Sequence, residues 1–408
     1  MNSYQKAFEN VIADYGSLPF ETKALYKKYL VDLQIPEKQS KRTGAGLDSM
    51  RDAISEASRL KFGAVVSNNV LVSSSEYVHE VGIDGSANGK TDFSSAEEKL
   101  AHFIHSNSKN ALFIEIPSGK SAKLNILFLC NSNMPLEIVI NVGSNSKLDL
   151  FEWYASNAKE SSILAPLHAI SVEKNSEAEI NVLHNENAST IVGALSRAEV
   201  MDDSSLRFNS IYNGSSITKS TSFADAAGRN SKIFVNELVL GSGDQKFDIS
   251  TFIVNSNVKT TAMIRSGAAL KQRSFCVLKG YAKVSKGADF AYSNVEERGL
   301  VLDPDARMQP LPDMSIDHRN VTFASHSAST APIDVESLFY MMSRGLSEEK
   351  AKRIFVASFL SKYLAEIDND IVKEIAISIL LHKLDTNTLV DAPKISVQDM
   401  WAVPSRKR

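Results

Sequence analysis

The chain has 408 residues, enough for two or three domains with a sizeable core. Its 45 lysines and arginines nearly balance 48 aspartates and glutamates, for a formal charge of −3, so no global basic field exists to gather nucleic acid. Two cysteines, Cys130 and Cys276, cannot build a disulfide framework and fit a reducing, cytoplasmic compartment. No run of about 20 apolar residues predicts a membrane span, and the first residues carry no apolar signal-peptide core.

Residues 1–60 predict helices. Tyr4, Phe8, Val11 and Ile12 form one apolar stripe. Phe20, Leu25, Tyr26 and Leu33 form a second between Pro19 and Pro36, and Asp48–Leu60 a third. Gln39–Gly46 reads as a solvated basic linker. Short strands are expected around Gly63–Val72 and Tyr77–Val81, and a helix over Ser94–His105 whose His102 and His105 read as a surface pair. Gly85–Thr91, GSANGKT, imitates a phosphate loop. It is one residue short of the spacing that lets backbone amides wrap a phosphate, and Asp84 stands where the first glycine belongs. It reads as a polar surface loop.

From Ala111 to about Ala328 the texture changes. ALFIEI, LNILFLC, LEIVINV, LDLFEWYA, AEINVL, LRFNSIY, KIFVNELVL, FDISTFIV and FCVLKGYAKV read as strands separated by polar turns. No helical pattern interrupts them, so βαβ units are not expected. A polar pair leading into a strand recurs at Leu124, Leu148, Ala178, Leu206, Ile233 and Phe290. Such a period suggests the coils of a β-solenoid, each burying its inner face against the next. A β-sandwich explains the alternation equally well but not the period. A solenoid must also cap or pair its ends. The N-terminal segment is a natural cap, and the far end, around Ala288–Ala328, is free to pair with another chain.

The tail reads as two helices. Asp334 is a good N-cap for Val335–Arg344, and Gly345 a good terminator. Ser347 caps the second helix, with Glu348 and Glu349 in its first turn. Leu338, Met341 and Met342 share one face of the first helix; Ile354, Phe355, Phe359 and Tyr363 recur at amphipathic spacing in the second. Phe339, Tyr340, Met342, Arg344 and Phe355 are candidate partner-binding residues. The last segment, from about Asp385, contains Trp401 and ends SRKR, and is expected to be at most partly ordered.

ASHSASTA (Ala324–Ala331), followed by LFYMMSRG (Leu338–Gly345) and a capped helix, resembles the SufB/SufD family of iron–sulfur cluster assembly scaffolds, as does LVLDPDARMQPLPDMSI (Leu300–Ile316) upstream. The details look SufD-like. The resemblance implies a mainly β fold: a right-handed parallel β-helix core (111–330) with an N-terminal α/β region (1–110) and a C-terminal helical region (331–408). It implies pairing through the late strands, with itself or with a SufB-type paralogue. It also implies docking of an ABC-type ATPase similar to SufC on the helical tail.

His326 lies among small residues that leave an imidazole accessible. The resemblance makes it a candidate iron or cluster ligand. Where SufB-type members carry a cysteine, this chain has Glu297, a second candidate ligand whose simpler reading is a solvated acid. Against the same family pattern, Ser325 and Ser327 stand where SufB types carry glutamates and Ala324 where SufD types carry a cysteine, so the chain lacks the thiolates that favour iron–sulfur chemistry. No firmly bound cofactor is expected, only transient iron or cluster. Cys130 and Cys276, flanked by apolar residues, read as buried core, and His318 as solvated. The expected role is a non-enzymatic scaffold subunit. The alternatives are a purely structural SufD-like partner and a polysaccharide-active β-helix enzyme. The latter needs paired acids on adjacent coils, and Asp149, Glu152, Glu179, Glu237 and Asp248 are expected not to fall at one place in successive repeats.

Overall fold

A computed structural model describes residues 64–386, apart from 68–69, 74–76, 83–99, 102–103, 105–106, 109, 131 and 157–159. The helices expected over residues 1–60, the Gln39–Gly46 linker, the Gly85–Thr91 loop, the His102–His105 pair and the Trp401 end lie outside the described residues.

The strands, in chain order, are β1 (Ala64–Ser67), β2 (Val70–Ser73), β3 (Val78–Gly82), β4 (Asn110–Ile116), β5 (Ser121–Cys130), β6 (Met134–Val142), β7 (Lys147–Ser156), β8 (Ser162–Val172), β9 (Glu177–Asn185) and β10 (Thr190–Val200). They continue as β11 (Ser205–Tyr212), β12 (Ile217–Ala226), β13 (Lys232–Gly241), β14 (Lys246–Asn255), β15 (Thr261–Leu270), β16 (Phe275–Val284), β17 (Tyr292–Val301), β18 (Arg307–Pro310), β19 (Asp313–Ile316) and β20 (Phe323–Pro332). From β5 onward the chain alternates between two facing sheets. One runs β2-β1-β5-β7-β9-β11-β13-β15-β17-β20, the other β18-β16-β14-β12-β10-β8-β6-β4-β3, with β19 beside β16. Apart from the β1–β2 and β3–β4 pairs, the ladders are parallel. The result is a parallel β-solenoid of about eight turns. The sandwich alternative is therefore excluded.

Each coil advances 26 to 32 residues, and the repeated polar pair is its corner. Asn145, Asn175, Asp203 and Asn230 adopt positive φ in successive coils, a conformation Asn and Asp tolerate better than most residues. The serine that follows is buried and stitches coils together. The Ser176 hydroxyl donates to the Gly143 carbonyl at 2.7 Å and accepts from the Ser146 amide at 3.1 Å; Ser204 repeats the pattern. At the next two corners Lys259 and Phe290 take the positive-φ position. Phe290 is thus a corner residue, and its strand begins at Tyr292.

Eight strands have no counterpart in the expected set: β8, β10, β12, β15, β17, β18, β19 and β20. Several are rich in Ser, Thr, Ala and Gly, as in ITKSTSFADA and TAMIRSGAAL. In β10, β12 and β15 inward hydroxyls such as Ser196, Ser220, Ser222 and Ser266 bond inside the solenoid, so hydrogen bonding replaces the apolar alternation that marks a strand in sequence.

The tail folds as α1 (Val335–Ser343), α2 (Glu348–Leu364) and α3 (Asp370–Thr386). The caps are as expected: Asp334 accepts from the Ser337 amide, Ser347 from the Lys350 amide, and Gly345 has φ +91°. The buried face of α2 is Ala351, Val356, Leu360, Tyr363 and Leu364. Ile354 is exposed and Phe355 half-buried, so the apolar stripe lies elsewhere than the large residues suggest. The third helix, α3, is an addition. Both α2 and α3 pack on Leu127, Phe151, Trp153, Leu183, Ile211 and Leu238 of the outer sheet face. Lys383, wholly buried near the end of α3, donates to the carbonyls of Asn213 and Leu240, and burial holds its amine well below the usual lysine range. On the opposite sheet, helical Leu100, Ala101 and Ile104 cover Ile163, Ala165 and Leu195.

Tyr363 seats over Gly267, where an added methyl carbon would lie 2.2 Å from the ring. Gly267→Ala is expected to lift α2 and to cost about 2 kcal/mol by overpacking. A lower denaturation midpoint, restored by pairing with Tyr363→Leu, checks this.

Candidate functional site

The last rung of the first sheet is β20, laid in register on β17 so that Val295 faces His326 and Glu297 faces Ala328. Val295 and Glu297 point into the solenoid. In-register parallel partners share a face, so His326, Ala328 and Thr330 continue the inner file. Ser325, Ser327 and Ser329 continue the outer one. Because β20 is terminal, nearly its whole length is exposed, His326 included.

The two sheet ends differ in kind. The second sheet's last rung is broken into β18 and β19 by Pro310 and Pro312, which cannot donate to a further strand. In β20, FASHSASTAP, no charge appears and proline waits until the final residue. An uncharged ten-residue edge is a template for another strand.

Directly after β20, α1 buries no residue of its own. Phe339 is 71% exposed and Tyr340 59%. The Arg344 guanidinium lies over the Tyr340 ring at 5.2 Å and donates to its hydroxyl at 3.0 Å, which holds the ring outward. Met342 is exposed beside them. Of the candidate partner residues, Phe355 alone is drawn partly into the packing.

Glu297 is not the solvated acid its context suggests. It is fully buried and accepts from the Gly280 amide across the lumen at 2.5 Å. Burial pushes its carboxyl up to about 8, against the opposing pull of the Gly280 and Leu311 amides. Its other oxygen has no protein partner.

Glu297 belongs to an inward column running Ile126, Glu152, Val182, Ser210, Glu237, Ser266, Glu297. Glu152, Glu237 and Glu297 therefore do share one place in the coil, and Asp149 and Glu179 are register partners on adjacent coils of the outer face, both contrary to expectation. The first three line the closed interior, where a polymer has no access. Each is satisfied differently. Glu152 accepts from Tyr154 at 2.9 Å and pairs with His168 at 2.8 Å. Glu237 accepts from Thr251 at 2.5 Å and Ser266 at 2.6 Å, while burial raises its carboxyl. Alongside, Phe128, Tyr154, His184 and Tyr212 stack at 4.4 to 5.1 Å, and His184 meets Glu186 at 2.6 Å. The parity of Glu152, between Leu150 and Tyr154 on one strand face, was the available signal for this interior.

Cys130 and Cys276 are buried as expected. Burial, then the nearby Glu186, pushes the Cys130 thiol up to about 12, and burial raises Cys276 as well. His318 is half-buried rather than solvated, bonded to Asp289 at 2.9 Å and facing the Gly287 amide. Among the described residues no group of three or more His, Cys, Asp or Glu is placed to hold a metal ion.

Residues 130–359 match the family model "SUF system FeS cluster assembly, SufBD core domain". The chain belongs to the SufBD family. It is 31% identical over 147 residues to "Iron-sulfur cluster assembly protein SufD" of Bacillus subtilis, covering 36% of this chain and 33% of that protein. Against "Iron-sulfur cluster assembly protein SufB" of the same organism it is 26% identical over 154 residues, or 38% and 33% of the two chains. A SufBD family protein of Mycobacterium leprae is 34% identical over 87 residues, 21% of this chain and 22% of the relative. The chain spans about a third of the length of the first two relatives. The SufBD match takes in β20, α1 and most of α2, the elements that form the open end.

Both SufBD-core thiols are expected to be inert in the native protein. A maleimide should label neither Cys130 nor Cys276 until denaturant is added, whereas diethylpyrocarbonate should modify His326 well before His168 or His184. Peptide mapping by mass spectrometry reads both.

Proposed function

We propose that this chain is a non-catalytic scaffold subunit of a SUF-type iron–sulfur assembly complex. The observation that carries the reading is the open end: a bare edge strand bearing an exposed His326, continuous with a helix whose aromatic face is unburied. The edge pairs with a second chain, either a copy of itself or a SufB-type paralogue. The face of Phe339, Tyr340, Met342 and Arg344 docks an ABC-type ATPase similar to SufC, with Phe355 at its margin.

His326 is the metal-facing residue. One imidazole is a single ligand, so iron or a cluster passing through as cargo needs further ligands from the paired chain. The buried Glu297 is not an available oxygen ligand in this arrangement. Nucleotide-driven approach of two docked ATPases would move the paired ends apart and open His326, provided the nucleotide binds one geometry better than the other.

Light scattering after anaerobic size-exclusion chromatography, with and without the ATPase and the paralogue, tests the assembly. The expected result is a two-scaffold complex carrying two ATPases. Phe339→Asp should abolish ATPase uptake and leave pairing intact, whereas a monomer indifferent to both partners contradicts the reading. Within an intact complex, His326→Ala is expected to lower iron retention several-fold; unchanged retention leaves a purely structural subunit.

A further inference from the structure

Among the described residues, the large apolar side chains left exposed fall into two groups, one beyond each end of β20. Val335, Phe339, Tyr340, Met342 and Ile354 lie on α1 and α2, whereas Phe290, Ile316 and Phe323 surround the corner that leads into β20. The corner does not need the second group for its own packing. Its small core is Val284, Ala288 and Ala291, with Val321 against them. Phe290 is 52% exposed and holds a φ of +60°, a conformation costly for a bulky side chain. Earlier coils fill the same position with Asn145, Asn175, Asp203 and Asn230. Phe323 is 41% exposed and stacks at 4.8 Å on Tyr292, its register partner on the outer sheet face. A residue that costs both hydration and backbone strain points to a use outside the fold.

The free charge around these rings has one sign. Arg229, Lys232, Lys259, Lys286 and Arg319 are exposed at the corners of the late coils, and among the described residues they form no ion pair. The corners sit one above another: the Asn230 amide donates to the Val258 carbonyl, the Lys259 amide to Asp289 and the Phe290 amide to Asn320, at the inter-strand spacing of about 5 Å per coil. Lys232 heads the outer file that continues through Thr261 and Tyr292 to Phe323. The acids of these corners are engaged within them. Asp289 accepts from Asn320 and pairs with His318, Asp317 pairs with Lys283, Asp203 accepts from the Asn230 side chain and Asp202 from the Arg229 amide.

We propose that this corner docks an acidic segment of a partner protein. Carboxylates of the segment meet the five cations, and one or two large apolar side chains pack on Phe290 and Phe323. Charge complementarity selects this chemistry. A lipid surface fits less well. Phe323 is the first residue of β20, and the strand's unpaired amides and carbonyls would enter hydrocarbon with it. A nucleic acid also fits less well. Ile316 offers a base no ring to stack on, Tyr292 already covers one face of Phe323, and the chain's net charge of −3 repels a polyanion at a distance. The ten residues of β20 separate the corner from α1, about 30 Å along the strand. The site therefore requires neither a partner on α1 nor a strand on β20.

A random dodecapeptide display library panned on the full chain, with counter-selection on Lys259→Asn/Phe290→Asn, tests this. The double variant gives both corners the residue type that earlier coils carry. Its denaturation midpoint is therefore expected to equal or exceed that of the wild type. Enriched peptides are expected to combine Asp or Glu with Phe, Leu or Trp. A synthetic copy should bind the wild type, weaken with added salt, and lose at least about tenfold in affinity for the double variant. Lys232→Glu/Arg319→Glu changes only exposed charges and should lose as much, which keeps the test open if the first variant folds poorly. A library that yields no peptide, or peptides without acidic residues, overturns the proposal. So does a peptide that binds either folded variant as tightly as the wild type. Phosphatidylglycerol vesicles or oligo(dT) binding the corner more tightly than the peptide would also overturn it. Failure of pairing at β20 or of ATPase docking on α1 leaves this result as it is.

Discussion

Parallel stacking is the constraint on which the rest of the molecule depends. Each coil is held by the backbone bonds and inward side chains of the coils on either side. The final coil has a neighbour on one side only. Its donors, acceptors and inner face must be satisfied by something else. The second sheet meets this with prolines, and its last rung is cut into two short pieces. The first sheet does not. It ends on β20, an uncharged strand of small residues, and the chain then runs directly into a helix with an unburied aromatic face. The candidate functional residues gather at the point where the stacking rule is left unfulfilled.

The solenoid interior is not uniformly apolar, and the polar part has a direction. Apolar residues fill the early coils, and an aromatic stack with two histidine–carboxylate contacts follows. Toward the open end serine, threonine and glutamate take over. Buried carboxyls are costly unless bonded or neutral. Glu237 has a partner on each oxygen, whereas Glu152, Glu186 and Glu297 each keep one oxygen bare. The last of these lies in the coil beneath the edge that the family reading assigns to pairing. The outer sheet faces are shielded by α2 and α3 on one side and by the helical segment around Leu100 on the other.

How much of this was legible in the sequence depends on which force holds each element. The corners were visible because Asn or Asp with a following Ser is a local signature of a positive-φ turn. Where Lys259 and Phe290 take that position the repeat fades. Strands with apolar inner faces could be read by alternation; those lined with hydroxyls, such as β12 and β15, could not, because their stabilising partners lie a coil away. The third helix, α3, is buried on most sides and so presents no stripe. The stripe on α2 was misplaced because Ile354 and Phe355 are large yet sit at its margins. The small residues around His326 pointed to an accessible ring, and it lies on an exposed rung. The interior position of Glu297 required the strand parity that only the register settles.

Strand addition by a second chain at the bare edge of β20 is the proposal on which the scaffold reading turns. Amide exchange of Phe323–Pro332, compared with and without the paralogous SufBD chain at constant pH, addresses it most directly. Strand addition predicts the largest slowing at alternate amides of β20, with β9 and β11 unchanged. A stable complex in which β20 exchanges as fast as in the free chain would contradict it.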